Sequence, residues 1–460
     1  MIDVVVVAVY LAIVLALGIW AGRKHKTFEQ YAVAGRSFGA LVIFATMSAS
    51  FIGGGFSTGN AEKVFLFGIA SVVVLWGFSF KEILVALFIA PRMDRFPNAV
   101  SVGDIMATAY GKVGRIVTGL AALFLCTGIV GAQVGAMGLV FEVFFGIDRV
   151  WGICIGCGIV VLYTTFGGMS AVVATDIVQF FILAVGMPLV VVFGVSYVGG
   201  IDALVAAVPA DHLEIPGGHY TWLGLVGLFL VFAFGETLVP PYVQRLCIGR
   251  TAREAARGTL YAGIFSIPFF AVTGVIGVIA LAITPDLQSG LALPYVVQTV
   301  MPPVLKGLVV AAVISIVMSS ADSFLNSASI AFINDIVSPL RAEPLPSRQA
   351  LSLAMLVTFI VGSLSVIFAL AIESIIDILI YAYTYWAPVV LVPLIAAIYG
   401  VRKGTAAFVA AAVAGVVATT VWDNVLGQPW QVAGLVVGVL ANFCVFRAMP
   451  RLGTVALQEG

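Results

Sequence analysis

Charged side chains are scarce in this chain. Asp, Glu, Lys and Arg together make up 10% of its 460 residues, whereas soluble domains carry about 25%. Hydrophobic residues account for 62% of the sequence, and its mean hydropathy is +1.16. A chain with this few charges cannot cover a water-facing surface. The composition therefore excludes a soluble globular protein and predicts a polytopic membrane protein.

An excess of positive charge and a complete zinc-ligand pattern are also missing. The 22 basic and 22 acidic residues balance, and the sequence pI is about 6.8, which excludes the basic surface that nucleic-acid binding requires. The five cysteines lie mostly in apolar runs, and Cys154 and Cys157 lack a second pair or histidines to complete a zinc site. We therefore expect free thiols and no nucleic-acid partner.

Long apolar runs, by contrast, fill the sequence. Runs of about 18 or more residues, the length that crosses a bilayer as a helix, occur thirteen times. They lie near 3–21, 39–67, 69–91, 114–145, 150–166, 169–197, 222–245, 257–284, 303–336, 349–372, 374–399, 404–421 and 430–446. The sequence therefore predicts about thirteen transmembrane helices.

The basic residues predict the orientation of these spans. If the N-terminus lies outside, 18 of the 22 Lys and Arg residues fall on the cytoplasmic side, as the positive-inside rule requires. The first span has Asp3 before it and basic residues after it, so we expect a retained helix rather than a signal peptide. The chain is predicted to be a multi-pass protein of the cell membrane with a cytoplasmic C-terminus.

One span carries a polar stripe at membrane depth. At 100° per residue, six polar residues of the run 303–336 fall on one arc of roughly 120°. They are Ser315, Ser319, Asp322, Ser323, Asn326 and Ser329. An ionisable residue inside the membrane costs roughly 2.5–3.5 kcal/mol, so such residues indicate an ion or substrate path. Hydrogen bonding between helices by Ser and Asn is the alternative for any one of them.

Two other spans are interrupted by helix-breaking residues. Residues 50–55 (Ser-Phe-Ile-Gly-Gly-Gly) break the second span, and residues 235–241 (Gly-Glu-Thr-Leu-Val-Pro-Pro) break the seventh. Each break lies in the first helix of a candidate five-helix unit, 39–197 and 222–399. Paired breaks at corresponding positions of two halves indicate an inverted-repeat transporter with its binding site near the midplane. An odd number of helices per unit places the second unit in the opposite orientation.

Several motifs resemble those of the sodium:solute symporter family. They are Gly167-Gly168-Met169-Ser170-Ala171-Val172 with Thr175-Asp176-Ile177-Val178-Gln179, Met318-Ser319-Ser320-Ala321-Asp322-Ser323 and Tyr242-Val243-Gln244-Arg245. The resemblance covers about residues 1–447. Residues 46–55, followed by Ala61-Glu62, look most like the high-affinity choline transporter branch.

The resemblance implies an all-α membrane protein with a five-plus-five inverted-repeat (LeuT-like) core. The implied organisation is an extra N-terminal helix and loop in 1–37, the first repeat in 38–197, the second repeat in 220–400, and two peripheral helices with a short tail in 401–460. The family works by sodium-driven alternating access.

The resemblance also implies where sodium binds. A first sodium site would use the backbone carbonyls of Phe44, Met47 and Ile316 together with the hydroxyls of Ser319 and Ser320. Oxygen ligands of this kind suit a hard cation, and an unwound helix supplies free carbonyls. Asp176 and Asp322, with Ser319 and Ser323, match a second sodium site of some relatives. Asp176 can instead cap the start of a helix after Gly167-Gly168.

The expected solute site departs from the choline branch. That branch holds its quaternary ammonium in an aromatic cage, and here the matching positions keep Phe51 and Phe78 but have Val239 in place of a tryptophan and a small aliphatic residue near Val130.

Polar residues stand near the missing aromatics instead. Gly54 and Glu236 lie in the two breaks, Gln133 lies in the fourth span, and Lys81-Glu82 lie in the third. Glu236 can hold an amine or can cap a broken helix, and Lys81 and Glu82 can simply pair or snorkel. We expect Phe51, Gly54, Phe78, Gln133 and Glu236 to bind a small polar organic solute.

The predicted function is sodium-coupled symport of that solute, with Na⁺ as the coupling ion and the lipid bilayer as the environment, and no enzymatic activity. A transporter-like sensor is one alternative, although no signalling domain follows Arg451. An intramembrane aspartyl hydrolase using Asp176 and Asp322 is a remote alternative, because no Gly-x-Gly-Asp sequence accompanies either residue.

Overall fold

The computed structural model describes residues 2–22, 27–343, 345–371 and 375–450. Within these ranges the chain is helical, and an isolated parallel bridge between Phe38 and Gly249 is the only extended pairing. An all-helical chain satisfies its backbone hydrogen bonds within each segment, which a lipid environment demands.

The first half of the chain forms eight α-helices. These are α1 (Ile2–Gly22), α2 (Phe28–Val33), α3 (Ala40–Phe51), α4 (Gly54–Phe67), α5 (Ala70–Leu84), α6 (Val102–Phe145), α7 (Arg149–Val198) and α8 (Ile201–Ala207). Helix α5 continues through a π-helical turn, Val85–Ile89, into a 3₁₀ turn, Ala90–Arg95. A short 3₁₀ turn, Ala210–Leu213, lies in the segment that follows α8.

The second half forms eleven more. These are α9 (Trp222–Phe234), α10 (Pro240–Cys247), α11 (Ala252–Ile283), α12 (Ala292–Val300), α13 (Pro303–Ile330), α14 (Ser338–Leu340), α15 (Ser347–Ala371), α16 (Ile375–Tyr383), α17 (Val392–Ile398), α18 (Gly404–Asn424) and α19 (Gly434–Ala448). A π-helical segment, Ala331–Val337, joins α13 to α14, and another, Ala387–Leu391, precedes α17. Short 3₁₀ turns lie at Ser289–Leu291 and Pro429–Gln431.

By length and hydropathy, nine helices of the described residues can cross a membrane, or ten when the bent pair α3 and α4 is taken as one span. The prediction of about thirteen counts three more, and each has a structural reason. Helix α7 is 50 residues long and changes direction at Gly168, whose φ is +52°, so it contains two predicted spans. The other two predicted spans fall on shorter helices. Helices α9 and α10, which the second break separates, and the 15-residue α19 are each shorter than the 18 residues counted here as a full span.

Helix α13 lies at the centre of the bundle. Every residue from Val309 to Ile330 is buried, so the helix is enclosed on all sides and its six-residue polar stripe faces protein. The outer surface of the bundle shows the opposite distribution. Large apolar side chains such as Leu41, Trp151 and Phe181 are 63–72% exposed there. Polar groups inside and apolar groups outside are the arrangement that a bilayer requires.

The first helix break separates α3 from α4 at Ile52 and Gly53, and the two helices meet at a bend of 52°. A side chain at Gly53 would not fit, because its Cβ would lie 2.7 Å from Gln133 Nε2 and 2.8 Å from Ser320 Oγ. Glycine therefore allows the unwound backbone to approach α6 and α13 closely.

The second helix break separates α9 from α10 between Gly235 and Val239. Leu238 adopts a left-handed conformation there, with φ of +56°. Pro240 and Pro241 occupy the first turn of α10, where a missing N–H is tolerated. Both interruptions predicted from the sequence are thus present in the fold.

Candidate functional site

The carboxylate of Asp176 on α7 is the centre of a buried polar network. Its Oδ1 accepts a hydrogen bond of 2.5 Å from Ser319 on α13, and its Oδ2 accepts a short hydrogen bond from Thr46 on α3. Ser50, one turn beyond Thr46, lies 3.4 Å from the same oxygen. The network therefore ties α3, the first half of the first broken helix, to α7 and α13.

Arg245 on α10 completes this network, and the sequence did not single it out as a site residue. Its Nη2 donates to Asp176 Oδ2 at 2.9 Å and to Ser323 Oγ at 2.7 Å, and both partners of the ion pair are fully buried. Its Nε donates to the Thr46 carbonyl at 3.1 Å, and its Nη1 donates to the Pro241 carbonyl at 3.1 Å. Arg245 was counted among the basic residues of the cytoplasmic side, but its charge lies inside the bundle.

Asp322 lies on the same stripe of α13 and has neutral partners. Tyr163 on α7 donates to its Oδ2 at 2.8 Å, and Ser323 Oγ lies 3.1 Å from its Oδ1. Ser323 also lies 2.9 Å from Ser50 Oγ. With Arg245, the two carboxylates of Asp176 and Asp322 carry a formal net charge of −1.

The residues expected at the first sodium site lie on α3 and α13. Phe44 and Met47 are inside α3, before the break, and Ile316 is inside α13 one turn before Ser320. Ser320 donates to the Ser50 carbonyl at 2.6 Å, close to where α3 unwinds. A serine hydroxyl that donates its proton keeps oxygen lone pairs, so Ser319 and Ser320 can still offer ligands to a cation.

Aromatic rings pack together near the two breaks. The Phe51 and Phe78 ring centroids lie 4.8 Å apart, and Tyr242 on α10 stands 6.5 Å from Phe51 and 6.1 Å from Phe78 in edge-on geometry. Val239 and Val130, which replace aromatic residues of the choline branch, are fully buried and offer no ring face. Tyr242 is part of a family motif and was not among the expected solute-binding residues. Together with Phe51 and Phe78 it forms an aromatic wall.

A cation of the protein itself occupies this aromatic wall. Lys81 Nζ lies 3.8 Å from the Phe78 ring centroid and 4.6 Å from that of Tyr242. It also makes a 2.5 Å salt bridge with Glu82 and donates to the Glu236 carbonyl at 3.0 Å. Of the two alternatives for Lys81 and Glu82, the structure shows the pair, and snorkelling is excluded because the Lys81 side chain is 4% exposed.

Glu236 lies within the second break, and Gln133 on α6 contacts the first break. The Glu236 carboxylate accepts a 2.7 Å hydrogen bond from Tyr242, so it does not simply cap α10. Gln133 on α6 accepts a 2.7 Å bond from the Gly54 backbone N–H at the start of α4. The structure thus brings Phe51, Phe78 and Glu236 together around Tyr242 and Lys81, and places Gln133 and Gly54 at the other break.

Residues 31–415 match the sodium:solute symporter family. High-affinity choline transporter 1 of Drosophila melanogaster is 28% identical over 81% of this chain, which spans 62% of that relative's length. The sodium/pantothenate symporter of Escherichia coli (strain K12) is 24% identical over 97% of this chain and 95% of its own length. The structure of a Na⁺-coupled sialic acid symporter in a substrate-bound outward-open state matches with a TM-score of 0.84 over 98% of each chain, at 21% identity.

The structural similarity confirms the all-α, inverted-repeat (LeuT-like) architecture that the family resemblance implied and the paired helix breaks indicated. The match over most of the chain agrees with the motifs on α7, α10 and α13 that meet around Asp176. This chain belongs to the sodium:solute symporter family.

Proposed function

We propose that this chain is a transporter rather than an enzyme, and that it imports a small polar organic solute by alternating access. Family and fold support sodium-coupled symport, with sodium as the coupling ion. The observation that carries the proposal is the convergence of both broken helices on one buried region with an aromatic wall and separate polar ends. The proposed boundaries of the two repeats are 38–197 and 220–400, with N-terminus outside and C-terminus cytoplasmic.

The first proposed sodium site lies between α3 and α13. The carbonyls of Phe44, Met47 and Ile316 and the hydroxyls of Ser319 and Ser320 supply five oxygen ligands, which suit a hard cation. The hydrogen bonds from Ser320 to Ser50 and from Ser319 to Asp176 orient the hydroxyl lone pairs away from those acceptors. Bound sodium would stabilise contact between the first broken helix and α13.

The second proposed sodium site uses Asp322 and Ser323 with Asp176. Because Arg245 already neutralises Asp176, the unbalanced charge of this cluster resides on Asp322. One sodium ion there would bring the formal charge to zero, which lowers the cost of keeping carboxylates in a dry interior. This arrangement supports one additional sodium per transport cycle.

The proposed solute carries an amine or another hydrogen-bond donor. Lys81, Glu82 and Glu236 have a formal net charge of −1, so they can accommodate one further positive or donor group at Glu236. A quaternary ammonium has no N–H to donate to Glu236, and Lys81 already takes the ring faces that would attract it. The wall formed by Phe51 and Phe78 suits the apolar part of the solute.

Sodium and solute would act on the same conformational equilibrium. If sodium binding between α3 and α13 favours the outward-open state, it raises the affinity for the solute, and the solute raises the affinity for sodium by the same factor. Solute contact with both broken helices would then favour closure, because each half contributes part of the site.

A thermal-shift screen of small solutes on purified protein, with sodium or potassium as the cation, tests the proposal. We expect amine-bearing solutes to raise the melting temperature in sodium only, and the best of them to enter proteoliposomes down a sodium gradient. Glu236→Gln should weaken its binding, while Glu142→Gln at the exposed end of α6 should not. Micromolar choline binding in sodium, or an unchanged affinity in Glu236→Gln, would contradict the proposed solute class.

A further inference from the structure

Two of the three histidines of this chain lie side by side in the segment between α8 and α9. The His212 and His219 ring centroids are 5.4 Å apart, and His212 Nδ1 lies 3.3 Å from Asp211 Oδ1. One potential ligand atom from each of Asp211, His212 and His219 lies within 4.8 Å of the other two. No other group of three or more His, Cys, Asp or Glu ligands of this kind occurs in the part of the chain that the structure describes.

We propose that Asp211, His212 and His219 form a binding site for a divalent transition-metal ion of the zinc class. Two imidazoles and one carboxylate are a ligand set that zinc prefers, and three protein ligands leave a fourth position for water. His219 is exposed, and Asp211 and His212 are partly exposed, so the side chains can adjust around an ion without repacking a core. The cluster is unrelated to the buried sodium ligands.

The site is mechanically connected to the first broken helix. The Ile69 N–H, in the turn between α4 and α5, donates to the His212 carbonyl at 2.8 Å. Gly68 in this turn has φ of +80°, and a Cβ there would lie 2.4 Å from the same carbonyl oxygen. The His219 ring stands edge-on to Phe67, the last residue of α4, at 5.7 Å.

The same turn borders a cavity of about 170 Å³ between α4, α5, α9 and α16. Phe67, Ser71 and Tyr220 all line it, and Ser71 Oγ lies 3.1 Å from Tyr220 Oη. Tyr220 directly follows His219 in the chain. A metal ion that links residues 211 and 219 would therefore fix the segment against the end of α4 and the mouth of this cavity.

We infer that the bound metal ion slows transport, since it restrains the outer arm of the helix that must move in alternating access. This second step rests on the proposed function, whereas metal binding itself does not. If α4 keeps its position throughout the cycle, the metal ion will bind without an effect on uptake.

Binding is tested on the purified full-length protein. Co²⁺ serves as a spectroscopic probe of the coordination geometry. For Zn²⁺, the affinity is measured by letting the protein compete with a chromophoric chelator for the ion. We expect one ion per chain with the visible absorption of a four-coordinate site. His212→Ala or His219→Ala should weaken Zn²⁺ binding by about 100-fold or more, since loss of even an outer-shell partner costs 10–100-fold. His25→Ala, which changes the third histidine, is the matched control and should bind as the wild type does.

The melting temperature of each variant without metal shows whether it is folded. Zn²⁺ should raise the melting temperature of the wild type and His25→Ala but not of the two other variants. Absence of stoichiometric binding, or equal binding by His219→Ala, would overturn the site. In proteoliposomes with Zn²⁺ on both sides, sodium-driven uptake should fall and recover with a chelator, and His219→Ala should resist inhibition. Binding with unchanged uptake overturns the coupling to transport, while absence of any sodium-driven uptake counts against the proposed function and leaves the metal site standing.

Discussion

The two broken helices satisfy their exposed backbone groups in different ways. At the first break, the partners are neutral side chains: Ser320 donates to the Ser50 carbonyl, and Gln133 accepts from the Gly54 N–H. At the second break, Lys81 donates to the Glu236 carbonyl and the Trp386 indole donates to the Thr237 carbonyl. One break is held by hydroxyl and amide groups, and the other by a resident cation and an indole.

This difference separates two tasks within one pseudo-symmetric core. Hydroxyl oxygens retain lone pairs after donating, so the first break is suited to a coupling cation. The Lys81 ammonium group at the second break has no lone pair with which to coordinate a sodium ion. If the proposed solute site at Glu236 and the proposed sodium site at Ser319 and Ser320 are separate, each can be altered without the other, and the following predictions test that separation.

The largest effect is expected from Arg245→Met. It leaves the buried Asp176 carboxylate without its counterion, and breaking a buried pair costs about 3–5 kcal/mol of stability. The melting temperature in detergent should fall sharply and uptake should disappear. The double variant Arg245→Met with Asp176→Leu removes both charges and should regain much of the lost stability. If Arg245→Met is as stable as the wild type, the ion pair between Arg245 and Asp176 does not hold α10 against α7.

Replacing both Ser319 and Ser320 with Ala should have the next largest effect. Charge-assisted contacts contribute about 1.5–3 kcal/mol each, so losing two oxygen ligands should raise the sodium concentration for half-maximal uptake by at least about tenfold. Sodium titration of uptake measures the change. Ser363→Ala, an exposed serine on α15, is the matched control. A double variant with the sodium dependence of the wild type would remove the proposed first site.

Asp322→Asn should change the number of sodium ions rather than the affinity of the first. The amide keeps the size of the side chain but forfeits the charge that offsets ion dehydration. We expect the Hill coefficient for sodium in uptake to fall from near two toward one, while Asp286→Asn in an exposed loop leaves it unchanged. A wild-type coefficient already near one would assign Asp322 a structural or proton-binding role.

The smallest effect is expected at the second break, in the binding of choline, which we propose that the wild type binds poorly. Removing the resident cation and its counterion in Lys81→Met with Glu82→Gln frees the ring faces of Phe78 and Tyr242. Choline binding should then improve by up to about 30-fold, since a desolvated cation–π contact contributes about 2 kcal/mol. Equilibrium binding in sodium measures it, with Lys112→Met as an exposed control. Unchanged choline affinity would mean that Lys81 does not compete for this position.

The sequence predicted the class of fold because its signals are local. Hydrophobic runs mark the spans, and the glycine and proline breaks at residues 53–54 and 235–241 mark the unwound helices. The polar stripe on α13 was readable from helical periodicity alone, and all six of its residues are buried as expected. Family motifs added the expected sodium ligands, which stay predictions for the experiments above.

The residues that the sequence did not identify as site residues are those whose role depends on long-range contact. Arg245 is one of the 18 basic residues assigned to the cytoplasmic side, yet it lies buried against Asp176, 69 positions earlier in the chain. Lys81 stood beside Glu82 as an ordinary pair, but its nearest ring faces include Tyr242 from the other repeat. The family motif Tyr242-Val243-Gln244-Arg245 was the available signal for Arg245 and for the ring of Tyr242, and no motif marked Lys81.

The sequence alone determined that this protein is a multi-pass helical bundle with two broken helices and a polar central helix. These properties follow from hydropathy and backbone preference, which act within about twenty residues. Only the tertiary structure decided which partner each buried charged group has: Asp176 for Arg245, Tyr163 for Asp322, and the aromatic wall for Lys81. Such pairings depend on how α5, α7, α10 and α13 pack, because a polar group in a dry interior needs a partner, and each of these contacts includes a residue from another helix.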